Sequence, residues 1–399
     1  MDLRESYQKR KYLFLVPHTM QQQPKFPVFS KLLMQDKYKF ITHFLKLFDT
    51  TEDKDKRALQ GIVAILTYEE KFDPCFSYLL QNEVNTRDLN TGILRGSTPC
   101  TRLITEYLRM HQSFLNSFFS KILLKVLKRD NCSEINPHLT DDPTCVKKRT
   151  KKLLMSAEKV FKGLMKSPIP SSISNLCIVL ARTLQETGVE LPETQIPTGD
   201  DKYAYFAVSN TIFLHFICPF LANPPEELLA HKNARRTLVM FAKLFQALAN
   251  ACTFDVDWMA GCNNFLIQMR PQYEKFCDVI LNPKVECDLF SLPNRISSGS
   301  SVNLMNRWKA IYRWIKSNQE RILEEIDEED RAEYEKQLNS TYLEVAGKRR
   351  ESFSCTARKI SEPQLRSQVS PQVRQRRSCR HQSSELATRK GSRNGLYHV

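Results

Sequence analysis

The sequence predicts an all-α protein, and three observations lead to that prediction. Apolar residues recur at steps of three and four over most of the chain, which is the period of an amphipathic helix. Glycine is rare, with eleven residues among 399 against nineteen prolines, which disfavours the turn-dense arrangement of a β-rich protein. The chain is 41% hydrophobic, so it has ample apolar mass for a core.

The first predicted helices follow a polar and basic lead-in over residues 1–26. From about Pro27 onward the pattern is helical almost throughout. The apolar residues at helical spacing are Leu32, Leu33, Phe40, Phe44, Leu45 and Phe48 in a first segment, and Leu59, Ile62, Val63, Ile65 and Leu66 in a second.

The clearest predicted helix runs from Pro99 to about Lys128, where apolar residues define one wide buried face. Thr98 can cap its start. Pro99 suits the first helical position, because the N–H that proline lacks would have no partner there. We therefore expect a rigid helix start that fixes the turn before it.

Further helices are predicted over about 151–166, 172–186, 202–222, 233–252, 256–280 and 301–326. The chain is divided by composition into a lead-in (1–26), a helical core (27–290), accessory helices (291–346) and a basic disordered tail (347–399). Ser, Gly and Pro concentrate near 292–301, and large apolar residues become isolated after Ala346.

Charge and cysteine usage limit the classes of function. The formal net charge is +15, and residues 348–399 hold thirteen Lys/Arg against three Asp/Glu, so basic character is interpreted as largely a property of the tail. The twelve cysteines are scattered without a CxxC pair or a Cys/His cluster, which predicts reduced thiols, no metal site and no cofactor. No GxxxxGK[ST] loop occurs, so nucleotide binding through a P-loop is not expected.

The expected location is the cytoplasm, or the periphery of the inner membrane surface. The apolar run Tyr12–Val16 is too short for a signal peptide, and Pro17 follows it at once. No apolar run in the sequence suggests a membrane span.

Three short stretches carry the candidate functional residues. The first places one arginine on a turn of small residues just before the long helix, and we call Leu94–Thr98 the Arg95 loop. The second is an apolar stretch that contains a histidine, and the third is a helix whose polar residues at intervals of seven share one face. The stretches are Ile93-Leu94-Arg95-Gly96-Ser97-Thr98; Phe213-Leu214-His215 with Pro219; and Arg236, Lys243 and Asn250.

In this order and spacing the three stretches resemble the finger loop, the Phe-Leu-Arg signature and the groove helix of Ras GTPase-activating proteins. The resemblance covers about residues 30–330. It implies a multi-helix RasGAP-like bundle with accessory C-terminal helices and a disordered tail. It also implies that the protein stimulates GTP hydrolysis by a GTP-bound Ras-family GTPase. The protein would not itself be an enzyme but would supply a catalytic arginine in trans.

The resemblance implies a role for each residue of the three stretches. Arg95 is the catalytic arginine, carried on a loop with Leu94, Gly96, Ser97 and Thr98. Phe213, Leu214, His215 and Pro219 brace that loop, and Arg236, Lys243 and Asn250 line the groove for the GTPase. The sequence departs from the family pattern at His215, where the family has arginine, and at Phe220, where it has alanine.

Two other classes of function stay open. A non-catalytic GTPase-binding scaffold is favoured by His215 and Phe220 and disfavoured by the presence of Arg95. A helical protein that acts on nucleic acid through its basic tail is the third class, although no specific nucleic acid is expected as a partner. Individually, Arg236 and Lys243 are also compatible with an ordinary solvated helix face, and His215 with a satisfied core histidine.

The tail suggests three further interactions. Its basic residues fit an anionic membrane surface. Ser352 follows Arg349-Arg350-Glu351 and fits a basophilic kinase site, where phosphorylation would weaken membrane binding. Tyr397-His398-Val399 could bind a PDZ-type domain through the terminal carboxylate.

Overall fold

The computed structural model describes residues 27–34, 38–48, 52–86, 92–129, 134–140, 142–191, 201–282 and 301–357. At residues 53, 129, 143, 201, 301–305 and 345–357 it describes the backbone alone. Helices make up the secondary structure of these ranges, and no β-strand occurs within them. The prediction of an all-α fold is confirmed.

The first group of helices leads to the Arg95 loop and the long helix after it. Their bounds are α1 Pro27–Met34, α2 Lys39–Lys46, α3 Asp53–Tyr68, α4 Phe72–Thr86, α5 Pro99–Arg109, a single turn Gln112–Phe114, a π-helical turn Leu115–Phe119, and α6 Ser120–Arg129.

The remaining helices follow a 3₁₀ turn at Pro143–Cys145. They are α7 Val146–Met165, α8 Ser171–Thr187, α9 Asp201–Val208, a π-helical segment Ser209–Ile217, α10 Cys218–Ala222, α11 Glu226–Leu229, α12 Ala234–Ala249, α13 Asp257–Ala260, α14 Asn263–Leu281, α15 Ser301–Ser317, α16 Gln319–Glu324 and α17 Glu328–Ala357.

The helix predicted from Pro99 to about Lys128 is interrupted near its middle. The backbone N–H groups of Met110 and His111 donate to carbonyls three residues back, at 3.1 and 2.9 Å, which closes the α-helix at Arg109. The buried His111 ring hydrogen-bonds the Ser172 hydroxyl at 3.3 Å. This contact connects the interrupted segment to α8. The interruption therefore coincides with a tertiary interaction that the local pattern of apolar residues does not contain.

Helices α9 and α10 and the π-helical segment between them follow one another without a gap, and we call residues 201–222 the central rod. Its part from Lys202 is long and apolar enough to cross a membrane, but 78% of its most apolar window is buried inside the protein. It is therefore the core helix of this fold. Phe213, within it, lies among the rings of Phe161, Phe245, Tyr273 and Phe276 at centroid distances of 5.3–6.5 Å.

The C-terminal helices pack on the first helices of the chain. The Trp308 ring lies 4.9 Å from Phe29, and the Trp314 indole N–H donates to Asp55 at 2.6 Å. The Glu344 carboxylate accepts from the backbone N–H groups of Val28 and Phe29 at 3.3 and 3.2 Å. The described residues before and after position 290 therefore share one hydrophobic core.

Several sequence predictions concern residues at the limits of the described ranges or outside them. Helix α17 continues to Ala357, so the tail predicted to start at residue 347 begins as helical backbone that includes Ser352. The lead-in, the segment rich in Ser, Gly and Pro up to residue 300, and the terminal Tyr397-His398-Val399 lie outside the described residues. Among those that are described, no group of His, Cys, Asp and Glu could hold a metal ion.

Candidate functional site

The Arg95 loop has a left-handed backbone on both sides of its arginine. The φ angles are 57° at Leu94 and 76° at Gly96. Glycine adopts this conformation freely, whereas a residue such as leucine is strained by about 1–3 kcal/mol. The Leu94 side chain is 1% exposed, and Arg95 is exposed. The loop therefore anchors one residue in the core and presents the next to solvent.

A single carboxylate holds both ends of the loop. Glu83, near the end of α4, accepts the backbone N–H of Leu94 at 2.6 Å through one oxygen. Its other oxygen accepts the Thr98 hydroxyl at 2.5 Å. Hydrogen bonds to an ionised acceptor are stronger than neutral ones, so this bridge fixes the loop against α4.

The start of α5 fixes the second half of the loop. The Thr98 hydroxyl oxygen accepts the backbone N–H of Thr101 at 3.1 Å, so the predicted cap is confirmed. The Thr101 hydroxyl lies 3.0 Å from the Gly96 carbonyl, to which it can donate. Arg102 Nε donates to the Ser97 hydroxyl at 3.1 Å. The turn that carries Arg95 is thus attached to a capped helix.

Sequence reasoning missed Glu83, Thr101 and Arg102 as loop-bracing residues. The Thr-x-x-Thr spacing of Thr98 and Thr101 is a local signal that could have indicated the second threonine. Glu83 offered no such signal, because its two contacts span eleven and fifteen residues of sequence.

His215 contacts the loop from the central rod. Its ring donates a hydrogen bond to the backbone carbonyl of Leu94. Burial lowers the pKa of His215, and the nearby Arg95 charge lowers it further, while the hydrogen bond to Leu94 opposes both effects. The imidazole is therefore neutral at neutral pH, which leaves one ring N–H for this bond.

An open cleft of about 360 Å³ separates the loop from the central rod and α12. It is lined by Leu94, Arg95, Gly96, Leu214, His215, Cys218, Pro219, Ala222, Ala242 and Gln246. The structure thus brings two of the three stretches together at one cleft. Gln246, exposed between Lys243 and Asn250, is a lining residue that sequence reasoning did not select, although it lies on the face predicted for them.

Two residues of the central rod support the cleft from the core and are not among its lining residues. Phe213 is fully buried in the aromatic cluster described above. Phe220 is 5% exposed and its ring lies 6.0 Å from Phe119. The bulk at position 220 is therefore accommodated inside the protein.

The third stretch lies on the solvent-accessible side of α12. Lys243 and Asn250 are half-buried there. Arg236 forms an ion pair with Glu134, in which both Nη2 and Nε lie 2.7 Å from carboxylate oxygens. Its guanidinium also lies 5.9 Å from the Trp258 ring centroid. Arg236, which the sequence places in the groove for the GTPase, is thus bound to other residues of the same chain.

The cleft presents a positively charged side chain that can bind an anion. Partial burial lowers the pKa of the Arg95 guanidinium, and the nearby Cys252 thiol opposes that shift. Arginine remains protonated at neutral pH. Among the described residues that line the cleft, none is acidic, so Arg95 is available to an anionic group that enters it.

Comparison with known proteins places the chain beside one family. Residues 139–250 match the family profile described as GTPase-activator protein for Ras-like GTPase. These residues include the central rod and α12, but not the Arg95 loop.

The chain is similar to several curated proteins. It is 22% identical over 306 residues to the inhibitory regulator protein BUD2/CLA2 of Saccharomyces cerevisiae. The aligned residues cover 68% of this chain and 26% of that protein. It is 24% identical over 225 residues to a GTPase-activating protein of Drosophila melanogaster, covering 55% and 18%. It is also 24% identical over 228 residues to the human Ras GTPase-activating protein nGAP, covering 55% and 19%. The chain therefore spans about a quarter or less of the length of these relatives.

Proposed function

Because the chain belongs to the RasGAP family, we propose that it stimulates GTP hydrolysis by a GTP-bound Ras-family GTPase and supplies Arg95 as the catalytic group in trans. The Arg95 loop then enters the nucleotide pocket of the GTPase. The chain contributes charge and positioning, and the GTPase contributes the nucleotide and the attacking water.

The chemical reason is the charge that develops during phosphoryl transfer. The transition state spreads negative charge over the γ-phosphoryl oxygens and the bridging oxygen, and a guanidinium stabilises it without any proton transfer. For GTPase-activating proteins as a class, such an arginine contributes about 10³–10⁵ in rate, a value of that class and not one derived from this structure.

The observation that carries the proposal is the restraint of the loop around an exposed arginine. Leu94 is held at its N–H by Glu83 and at its carbonyl by His215. Gly96 is held at its carbonyl by Thr101. A catalytic group that is fixed before binding loses little conformational freedom on entering its site, and this favours catalysis over simple contact.

The proposal is tested by single-turnover GTP hydrolysis on a panel of Ras-type and Rap-type GTPases with the full chain. We expect acceleration that Arg95→Ala abolishes and that Arg95→Lys recovers only in small part, because lysine lacks the planar fork of donors. Arg313→Ala is the matched control, since Arg313 is an exposed arginine on α15. Equal acceleration by the wild type and by Arg95→Ala would refute the finger role.

A non-catalytic scaffold remains the second candidate, and one observation favours it. The ring at position 215 donates one hydrogen bond to the loop, whereas the arginine of the family offers several donors. Tight and GTP-selective binding of a Ras-family GTPase without acceleration would support the scaffold.

The proposed function also implies a location for the protein in the cell. We place it in the cytoplasm and at the inner membrane surface, where an activator would meet a membrane-attached GTPase. Fractionation of cells that express the tagged full chain tests this location.

A further inference from the structure

Helices α6 and α7 carry a second concentration of positive charge, in addition to that of the tail. Residues 120–129 and 146–165 together contain eleven Lys/Arg and one acidic residue, Glu158. Residues 1–347 carry a net charge of only +5, so this total conceals the local excess on the two helices. Acidic residues concentrate elsewhere, in Glu324–Asp330, where Asp327 and Asp330 form ion pairs with Lys39 of α2.

The lysines follow the exposed faces of the two helices. On α6, Lys121, Lys125 and Lys128 are exposed at steps of four and three. On α7, exposed residues recur at the same steps and form a continuous stripe. They are Lys148, Lys152, Met155, Lys159 and Lys162, with Lys147 and Lys151 beside them. We call these exposed residues of α6 and α7 the lysine face.

The two helices pack closely, so their stripes belong to one surface. A Cβ atom at Gly163 of α7 would lie 2.8 Å from Ile122 Cγ2 of α6, a contact that glycine alone permits without a shift of the neighbour. The residues that precede this contact in each helix, Lys121 and Lys162, are both exposed.

Two large apolar side chains stand exposed among these lysines. Met155 is 51% exposed at the middle of the α7 stripe. Phe118 is 47% exposed one turn before Lys121. Lysine can extend its charged end toward phosphate groups while apolar neighbours enter the boundary between headgroups and acyl chains.

We propose that the lysine face is a docking site for an anionic membrane surface, separate from the cleft at Arg95. The composition of the face argues for lipid as the occupant. Its exposed cations with described side chains are all lysines, which act as point charges and suit a diffuse anionic surface. Arg149, the arginine of α7, is half-buried and hydrogen-bonds the Thr140 hydroxyl and the Glu134 carbonyl. An acidic protein partner would instead favour exposed arginines for bidentate pairing.

Vesicle co-sedimentation with the full chain tests this site. The vesicles contain phosphatidylcholine alone or phosphatidylcholine with phosphatidylserine. The face variant is Lys121→Gln/Lys125→Gln/Lys151→Gln. The matched control is Lys275→Gln/Lys316→Gln/Lys336→Gln, which removes the same charge from exposed positions on other helices. Glutamine keeps helix propensity, and thermal unfolding verifies that both variants fold.

We expect binding that depends on phosphatidylserine and falls about a hundredfold in the face variant, because one lysine near such a surface contributes about a factor of five. The control variant should bind nearly as the wild type. On binding, hydrogen exchange should slow in peptides from α6 and α7.

Two outcomes would overturn the proposal. Equal binding by the face and control variants would show that net charge or the tail governs membrane contact. Unchanged vesicle binding with weaker affinity of the face variant for a GTP-loaded GTPase would assign the surface to that acidic protein. Both results are independent of whether Arg95 is catalytic.

Discussion

The His215 ring donates a hydrogen bond to the backbone carbonyl of Leu94, the residue immediately before Arg95. Leu94 is also the strained residue of the loop, with φ 57°, and its N–H is held by Glu83. Both backbone polar groups of this left-handed residue are therefore restrained from outside the loop. Such restraint is what allows a non-glycine residue to keep this conformation.

The first prediction concerns His215 as a positioning residue. In His215→Ala the Leu94 carbonyl loses its donor, so the loop should sample more conformations while the groove stays intact. We expect the maximal rate of stimulated hydrolysis to fall about tenfold, corresponding to one lost hydrogen bond, with little change in affinity for the GTP-bound GTPase. Single-turnover rates over a range of concentrations separate the two quantities.

The matched variants for His215 keep a donor. His215→Gln should retain much of the rate and His215→Arg should equal or exceed the wild type. An affinity loss as large as the rate loss in His215→Ala would argue against a positioning role.

The second prediction concerns the Glu83 bridge. Glu83→Gln leaves one oxygen acceptor for two donors and removes the charge, so one end of the loop should be released. We expect a loss of about 1–3 kcal/mol in the free energy of unfolding and faster hydrogen exchange in peptides containing residues 92–98. Glu335→Gln, at an exposed position on α17, is the control and should leave both measurements unchanged.

The third prediction separates backbone strain from space at Gly96. A Cβ atom at Gly96 would meet no atom within 4 Å, and the same holds for Gly261. The two differ in backbone conformation, with φ 76° at Gly96 and −61° at Gly261. We expect Gly96→Ala to lower the free energy of unfolding by about 1–2 kcal/mol, and Gly261→Ala to lower it little or raise it. Chemical denaturation measures both, and equal effects would contradict the strain argument.

The fourth prediction concerns the ion pair between Arg236 and Glu134. A double-mutant cycle with Arg236→Ala and Glu134→Ala should give a coupling free energy of about 1 kcal/mol, since both side chains are partly exposed, by 32% and 19%. If Arg236 also contacts the GTPase, Glu134→Ala should raise GTPase affinity by freeing the guanidinium, and Arg236→Ala should lower it. If the two variants change the affinity for the GTPase in opposite directions, Arg236 both pairs with Glu134 and binds the GTPase. Otherwise its role is structural.

The fifth prediction concerns acid stability and His111. Burial lowers the pKa of His111 from 6.5 to about 4. The unfolded chain binds a proton at this residue at higher pH than the folded chain does. The stability from the neutral ring is therefore complete above about pH 6.5 and is lost as the pH falls toward about 4. Between neutral pH and about pH 5 the wild type should lose about 2 kcal/mol more than His111→Gln, as measured by denaturant unfolding.

The sequence by itself determined the helical class, because apolar periodicity is a local property of each segment. It also determined the Thr98 cap, since capping involves residues three apart. The three candidate stretches were identified by their order and spacing, and the family match over residues 139–250 spans the second and third of them.

The tertiary structure decided which residues meet. Glu83 and His215 reach Leu94 from helices eleven and more than a hundred residues away, and no local pattern contains such contacts. The same is true of the ion pair that engages Arg236 with Glu134. The lysine face also required the fold, because its charge becomes one surface only when α6 and α7 pack at Gly163. Periodicity fixes which face of a helix is buried, but the partner of that face depends on packing over the whole chain.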